Sequence, residues 1–135
     1  MEYLFVYGTL RRDFGHPMGE MLNSEANFFC MGKVEGWLYD LGEYPGLQIQ
    51  HQCQEWVVGD IYRKEFMEHL LAVLDEYEGV SDSYSPEFPY KRKKTNVFLE
   101  KGTLSDVWVY VYQGNTHGLK PIPKGDYLDY LKRNR

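Results

Sequence analysis

Near the middle of the chain, Leu74-Asp75-Glu76-Tyr77-Glu78-Gly79 sets three carboxylates beside one glycine. The run closes a segment of helical spacing, and the C-terminal end of a helix prefers cations. Carboxylates crowded at that end repel one another, and the crowding raises their pKa values. The arrangement suits either a solvated acidic face or a site that uses a carboxylic acid near neutrality. Asp75 and Glu76 fit the solvated face. Glu78, next to the glycine, can turn inward.

A second pattern lies at the other end of the chain, where Val6-Tyr7-Gly8-Thr9-Leu10-Arg11 follows an apolar run. Glycine lets the backbone turn sharply and approach a ligand closely. Successive N–H groups in such a turn form a small anion-binding nest. A tight strand-to-loop corner accounts for the same residues. The segment lacks the further glycines, at set spacing, of a phosphate-binding loop or a dinucleotide fingerprint.

Other chemistries find little support. Tyr84 and the run Tyr90-Lys91-Arg92-Lys93-Lys94 invite a nucleic-acid reading. In a strand, however, the four basic residues alternate faces, and lysines commonly blunt an exposed edge. A solvated edge strand and no nucleic-acid partner are the expectation. His51-Gln52-Cys53 is the only close His/Cys pair, with no second pair at zinc spacing, so no metal site is expected. There is no G-x-S-x-G elbow and no cysteine in a catalytic context. His16, His69 and His117 read as surface or packing residues.

The elements that must position these residues follow from periodicity. Leu4–Tyr7 is a short buried strand, and His16–Leu22 a short helix. Phe28–Tyr39 reads as one long or two short strands, and Leu41–Gly46 as a turn. Leu47–Gln50 and Trp56–Tyr62 alternate as strands. Lys64–Tyr77 carries Phe66, Leu70, Leu71, Val73, Leu74 and Tyr77 at three- and four-residue spacing, a helix that Gly79 stops. Tyr90–Leu99 is a strand. In Ser105–Tyr112, Val107, Val109 and Val111 alternate with Trp108, Tyr110 and Tyr112. Both sets are bulky, so both faces are buried, as in a central strand or a small closed barrel. Tyr127–Leu131 forms a last helical turn. Strands, one helix and more strands predict an α+β fold around a mostly antiparallel or mixed sheet.

Composition agrees with one domain over residues 1–135. The chain is 43% apolar and 26% charged, with a net charge of −5, which excludes disorder as its main state. It has no apolar run long enough to span a membrane and no basic, apolar leader, so no membrane partner is expected. Cys30 and Cys53 are too few for a disulfide framework and read as reduced thiols, which predicts a cytoplasmic protein. Twelve Tyr, seven Phe and three Trp are unusually many. Tyrosine joins an apolar body to a polar tip, which suits a β-rich core and a pocket for something polar.

Taken in order, several segments resemble the gamma-glutamylcyclotransferase-like family, which includes plant avirulence-induced proteins and gamma-glutamylamine cyclotransferases. The resemblance rests on Phe5-Val6-Tyr7-Gly8-Thr9-Leu10-Arg11, Tyr44-Pro45-Gly46, Gly59-Asp60-Ile61-Tyr62 and Leu74-Asp75-Glu76-Tyr77-Glu78. It continues through Tyr90-Lys91-Arg92, Trp108-Val109-Tyr110-Val111-Tyr112 and the ending from Gly118 to Leu128, so it spans nearly the whole chain. The form Y-G-T-L looks closer to the gamma-glutamylamine branch than to the enzymes acting on free γ-glutamyl amino acids, and the ending resembles short bacterial members.

This resemblance implies a small mixed β-barrel with flanking helices and one pocket between the Tyr7–Leu10 loop and Glu78. The implied reaction is intramolecular: the α-amine of a γ-glutamyl group attacks its own γ-carbonyl, releasing an amine and 5-oxoproline. Internal attack supplies proximity without a protein nucleophile, and without a cofactor or metal. Glu78 is then the catalytic acid/base. The N–H groups of Gly8, Thr9 and Leu10 hold either the oxyanion or the α-carboxylate. Tyr7, Tyr110 and Tyr112 line the pocket, with core packing the alternative for each. Val80–Pro89 shapes the leaving-group side. The partner is a small γ-glutamyl substrate, bound by a monomer or homodimer. A non-catalytic small-molecule-binding protein on the same fold is the rival expectation.

Overall fold

The computed structural model describes residues 1–134. Five strands close into a barrel, with three helices packed outside it. In chain order the elements are β1 (Glu2–Val6), α1 (Pro17–Glu25), β2 (Asn27–Asp40), β3 (Pro45–Ile49) and β4 (Trp56–Lys64). They continue with α2 (Glu68–Glu78), β5 (Tyr90–Leu99), β6 (Gly102–Tyr112), β7 (Lys120–Pro121) and α3 (Tyr127–Arg133). The barrel runs β2-β4-β1-β6-β5 and returns to β2 where Lys33 pairs with Phe98. Only β1–β6 is parallel, so the barrel is mixed as expected. The last part of β2 leaves the barrel to pair with β3 and β7.

The alternation in β1 explains how the layers form. Phe5 and Tyr7 join Val34, Val57, Ile61, Val97, Val107 and Val109, a cluster drawn from all five barrel strands that forms the barrel interior. Leu4 and Val6 point the other way, onto Leu22 of α1 and Leu70, Leu71 and Leu74 of α2. The two faces of β6 divide in the same manner. Val107 and Val109 face inward, while Tyr110 and Tyr112 belong to the cluster beneath the helices.

Three details depart from the sequence reading. The predicted helix from Lys64 begins at Glu68 instead. Lys64 completes β4 opposite Glu2, and the Glu2 carboxylate accepts the Met67 N–H at 2.8 Å, so sheet pairing overrides helical spacing. Phe66 thus falls outside the helix and is 74% exposed. The turn after β2 is shorter than expected, because Pro45 and Gly46 already pair with Asp40 and Tyr39. Finally, β5 is not simply an edge: it pairs with β6 along its length and closes the barrel on β2. Tyr90 also bridges to Val80, so within its first half only Lys91–Lys94 pairs with β6 alone. Among the described residues, no helix is long and apolar enough to cross a membrane.

The loop after β1 is held from behind by a buried charge. Arg11 is 5% exposed and lies 3.7 Å from Asp60 of β4 and 3.0 Å from Asp126. Asp60 also accepts the Arg12 N–H at 2.9 Å, and Asp126 caps α3 by accepting the Asp129 N–H. One guanidinium therefore ties the loop to the barrel and to the start of α3. Removing one partner of a buried pair strands the other charge. Arg11→Ala is expected to lower stability by about 3 kcal/mol, read as a fall in the urea midpoint. A loss no greater than that of a surface substitution would mean that water reaches Asp60.

Candidate functional site

The end of β1 and the end of α2 meet over one pocket. Gly79 terminates α2 in the left-handed conformation, with φ 77°, and its N–H returns to Asp75 O. The stop leaves Glu78 in the last turn, facing the loop that follows β1. The pocket is narrow, with a cavity volume of about 30 Å³. Tyr7, Gly8, Thr9, Leu10, Glu78 and Tyr110 all line it. These are six of the seven residues expected on sequence grounds.

Tyr112 is the exception and does not border the pocket. Its ring packs edge-on against Tyr84 and Tyr90 and lies against Gly46. It faces the same side of β6 as Tyr110, but two residues along the strand is far enough to carry it past the pocket's end. Five lining residues were not among those expected: Phe5 and Val6 of β1, and Tyr44, Pro45 and Tyr90. Tyr90 donates to Pro45 O at 2.6 Å and so pins β3 against β5. The Pro45 ring covers Gly8, where an added Cβ would sit 2.8 Å from Cγ and 2.9 Å from Cδ. Gly8 is needed for that close approach rather than for a left-handed turn. Apart from the resemblance, the Tyr-Pro-Gly sequence reads as turn chemistry, and no local signal places Pro45 over Gly8.

The three carboxylates at the helix end have different fates. Asp75 is not a surface acid. It accepts Arg92 Nε at 2.8 Å and Nη2 at 3.1 Å, and Tyr110 OH at 2.8 Å. Arg92 lies in turn over the Trp108 ring, 4.2 Å from its centroid. Asp75 and Arg92 look exposed from sequence, because only the register of β5 on β6 places Arg92 opposite Tyr110. Glu76 is exposed at the mouth, as expected. Glu78 has no hydrogen-bond or ion-pair partner among the described residues.

Glu78 keeps some surface through the pocket opening, yet protein surrounds its carboxyl. Desolvation first, and the nearby Asp75 charge second, raise its pKa to about 8. Tyr7, Tyr90 and Tyr110 are likewise pushed well above the ordinary phenol range, chiefly by burial, and remain neutral. The Tyr7 hydroxyl donates to Tyr110 O at 2.6 Å and accepts the Leu47 N–H at 3.2 Å. Its polar capacity is used in clamping β1, β3 and β6, and it offers the pocket a ring. The N–H groups of Gly8, Thr9 and Leu10 donate to no acceptor among the described residues. The pocket thus sets one acid of near-neutral pKa against free backbone donors.

The pocket opens into a wider cleft of about 490 Å³, which shares Thr9, Tyr44, Glu78 and Tyr90 with it. Gly79, Pro86, Glu87 and Pro89 form its far wall, so the segment after α2 borders the cleft. No group of three or more His, Cys, Asp or Glu among the described residues is placed to hold a metal ion.

A closed mixed barrel with a pocket between the loop after β1 and the end of α2 defines the class of protein. The family described as "Gamma-glutamyl cyclotransferase, AIG2-like" matches residues 4–129, and the chain belongs to that family. Protein MJ1514 of Methanocaldococcus jannaschii is 32% identical over 131 residues, covering 96% of this chain and 98% of that protein. The gamma-glutamylcyclotransferase family protein YtfP of Escherichia coli is 32% identical over 127 residues, 93% of this chain and 96% of YtfP. The solution structure of YtfP superimposes with a TM-score of 0.63 at 30% identity, over 98% of this chain and 99% of that one. YkqA of Bacillus subtilis reaches a TM-score of 0.72 at 18% identity. That likeness concerns the fold, and the chain matches only 43% of the longer YkqA.

The raised pKa of Glu78 has a consequence for stability. Glu78 stays protonated in the folded chain up to about pH 8, whereas its ordinary value of 4.5 applies when unfolded. Its contribution is therefore fully present below 4.5 and is lost as pH rises through about 8. Glu78→Gln cannot ionise, so its Tm relative to wild type is expected to climb across that window. A Tm difference independent of pH would show that water solvates the carboxyl freely.

Proposed function

We propose that the protein is a gamma-glutamylcyclotransferase in which Glu78 moves the protons. The observation that carries this reading is the unpaired Glu78 carboxyl in the pocket wall formed with the free Gly8–Leu10 amides. In the reaction, the α-nitrogen of a γ-glutamyl group forms a bond to its own γ-carbonyl carbon, and the bond from that carbon to the amine breaks. Ionised Glu78 takes a proton from the attacking nitrogen and returns it to the departing nitrogen. One carboxyl can perform both transfers when its pKa lies near the working pH.

The remaining tasks fall to the pocket. The ring closure is internal, so the protein has only to hold the glutamyl group curled, with its nitrogen beside its carbonyl. The Gly8, Thr9 and Leu10 N–H groups offer donors to a negatively charged oxygen, either the α-carboxylate or the developing oxyanion. The rings of Tyr7 and Tyr110 close the narrow end. The leaving amine extends into the wider cleft, where Glu43, Glu76 and Glu87 make a wall favourable to an amine departing as a cation. No cofactor takes part in this scheme.

The test is release of 5-oxoproline from a panel of γ-glutamyl amines, γ-glutamyl amino acids and glutathione. Wild type is expected to release it from at least one, and Glu78→Gln to be slower by roughly 10²-fold or more. Binding of the panel without release by wild type would favour a non-catalytic binding protein. The pH dependence gives a second check. The base form of Glu78 grows as pH rises, so kcat/KM is expected to increase towards a plateau above about pH 8. Asp75→Asn removes the neighbouring negative charge and should move that limb to lower pH. A limb that stays in place in Asp75→Asn would assign the titration to another group.

A further inference from the structure

A chain of hydrogen bonds crosses the mouth of the pocket from α1 to the loop. His16 is the N-cap of α1, and its Nδ1 accepts the Met18 N–H at 3.0 Å. An imidazole nitrogen that accepts carries no proton, so in the neutral ring the hydrogen sits on Nε2. Nε2 lies 3.3 Å from the Tyr77 hydroxyl, which lies 3.2 Å from Thr9 Oγ1. The helix cap therefore sets the direction of the next bond, and His16 Nε2–H donates to Tyr77. The Tyr77 O–H is then available to donate to Thr9, a contact in which either hydroxyl can be the donor. When Thr9 accepts, its own O–H has no acceptor among the described residues. Thr9 lines both the pocket and the wider cleft.

The geometry points to His16 and Tyr77 as positioning residues that orient the Thr9 hydroxyl as a donor to an anionic oxygen of the bound γ-glutamyl group. The inference rests on the cyclotransferase reading and adds a side-chain donor to the three backbone donors of the loop. The rings of His16 and Tyr77 also touch, with centroids 5.4 Å apart, so the link is packed as well as hydrogen-bonded. The same contact joins the start of α1 to the last turn of α2, which carries Glu78. Donor and acid are thus referred to one frame.

The test is a set of variants assayed for 5-oxoproline release. Thr9→Val deletes the donor and is expected to lower kcat/KM about tenfold, as for one hydrogen bond to a charged group. Thr9→Ser keeps the hydroxyl and should stay near wild type. Tyr77→Phe leaves the donor but frees it among three staggered rotamers, an effect of about threefold. His16→Asn can still cap α1 through its side-chain oxygen but cannot reach Tyr77. It should therefore match Tyr77→Phe without a lower Tm. Because all act through one hydroxyl, Tyr77→Phe combined with Thr9→Val should be no slower than Thr9→Val alone.

Nitrogen NMR of His16 in the wild-type protein reads the relay without any turnover, and the Nε2–H tautomer is expected. The opposite tautomer, an unaffected Tyr77→Phe in an active protein, or effects that multiply in the double variant would each overturn the relay. Absence of release by wild type across the panel would instead overturn the cyclotransferase reading, and with it the catalytic purpose of the relay.

Discussion

β1 is five residues long and is bonded on both sides, antiparallel to β4 and parallel to β6. That double pairing is the constraint on which the pocket depends. A parallel neighbour puts the C-terminal ends of β1 and β6 at the same end of the barrel. The loop after β1 therefore emerges beside Tyr110, and Tyr110 reaches Asp75 on α2. Tyr7 makes the arrangement rigid. Its hydroxyl lies inside the fold and joins β6 to β3 through two hydrogen bonds. A buried phenol with both capacities used is costly to displace. Arg11, four residues on, repeats the device with charge.

The free donors and the free acid come from two element ends. The loop after β1 leaves the Gly8, Thr9 and Leu10 N–H groups outside regular structure, and the last turn of α2 carries the Glu78 side chain. Solvent would normally satisfy them. Here the two ends face each other across a pocket narrowed by Pro45, Tyr90 and Tyr110. Desolvation raises the pKa of Glu78, and Asp75 raises it further. Asp75 itself stays matched by Arg92 and Tyr110. The fold thus spends its cation on one carboxylate and leaves its neighbour, one helical turn away, unpaired.

Much of this was legible along the chain, for reasons visible in particular residues. Alternation in β6 revealed two buried faces, since Val and aromatic residues at period two fit only a strand packed on both sides. Gly79 marked the end of α2, because a positive φ there costs other residues more. Glu78 stood out as the acid beside that glycine. The start of α2 was less legible. Phe66 fits the helical period, but the Lys64–Glu2 pairing and the Glu2–Met67 bond come from a strand more than sixty residues earlier. Asp75 was misread for a similar reason, and Tyr112 took the core-packing alternative, since each depends on which residue a neighbouring element presents.

What the sequence determined by itself was local: strand and helix types from period, stops from glycine, and the candidate loop and acid from residue chemistry. Tertiary structure alone decided which polar groups found partners. Pro45 over Gly8, Arg92 on Asp75, and Tyr77 between His16 and Thr9 join residues 37, 17 and 61 to 68 positions apart. Contacts at such separations depend on strand register and barrel closure, where a shift of one residue turns every side chain to the opposite face. No local pattern encodes that outcome, and the free state of Glu78 follows from it.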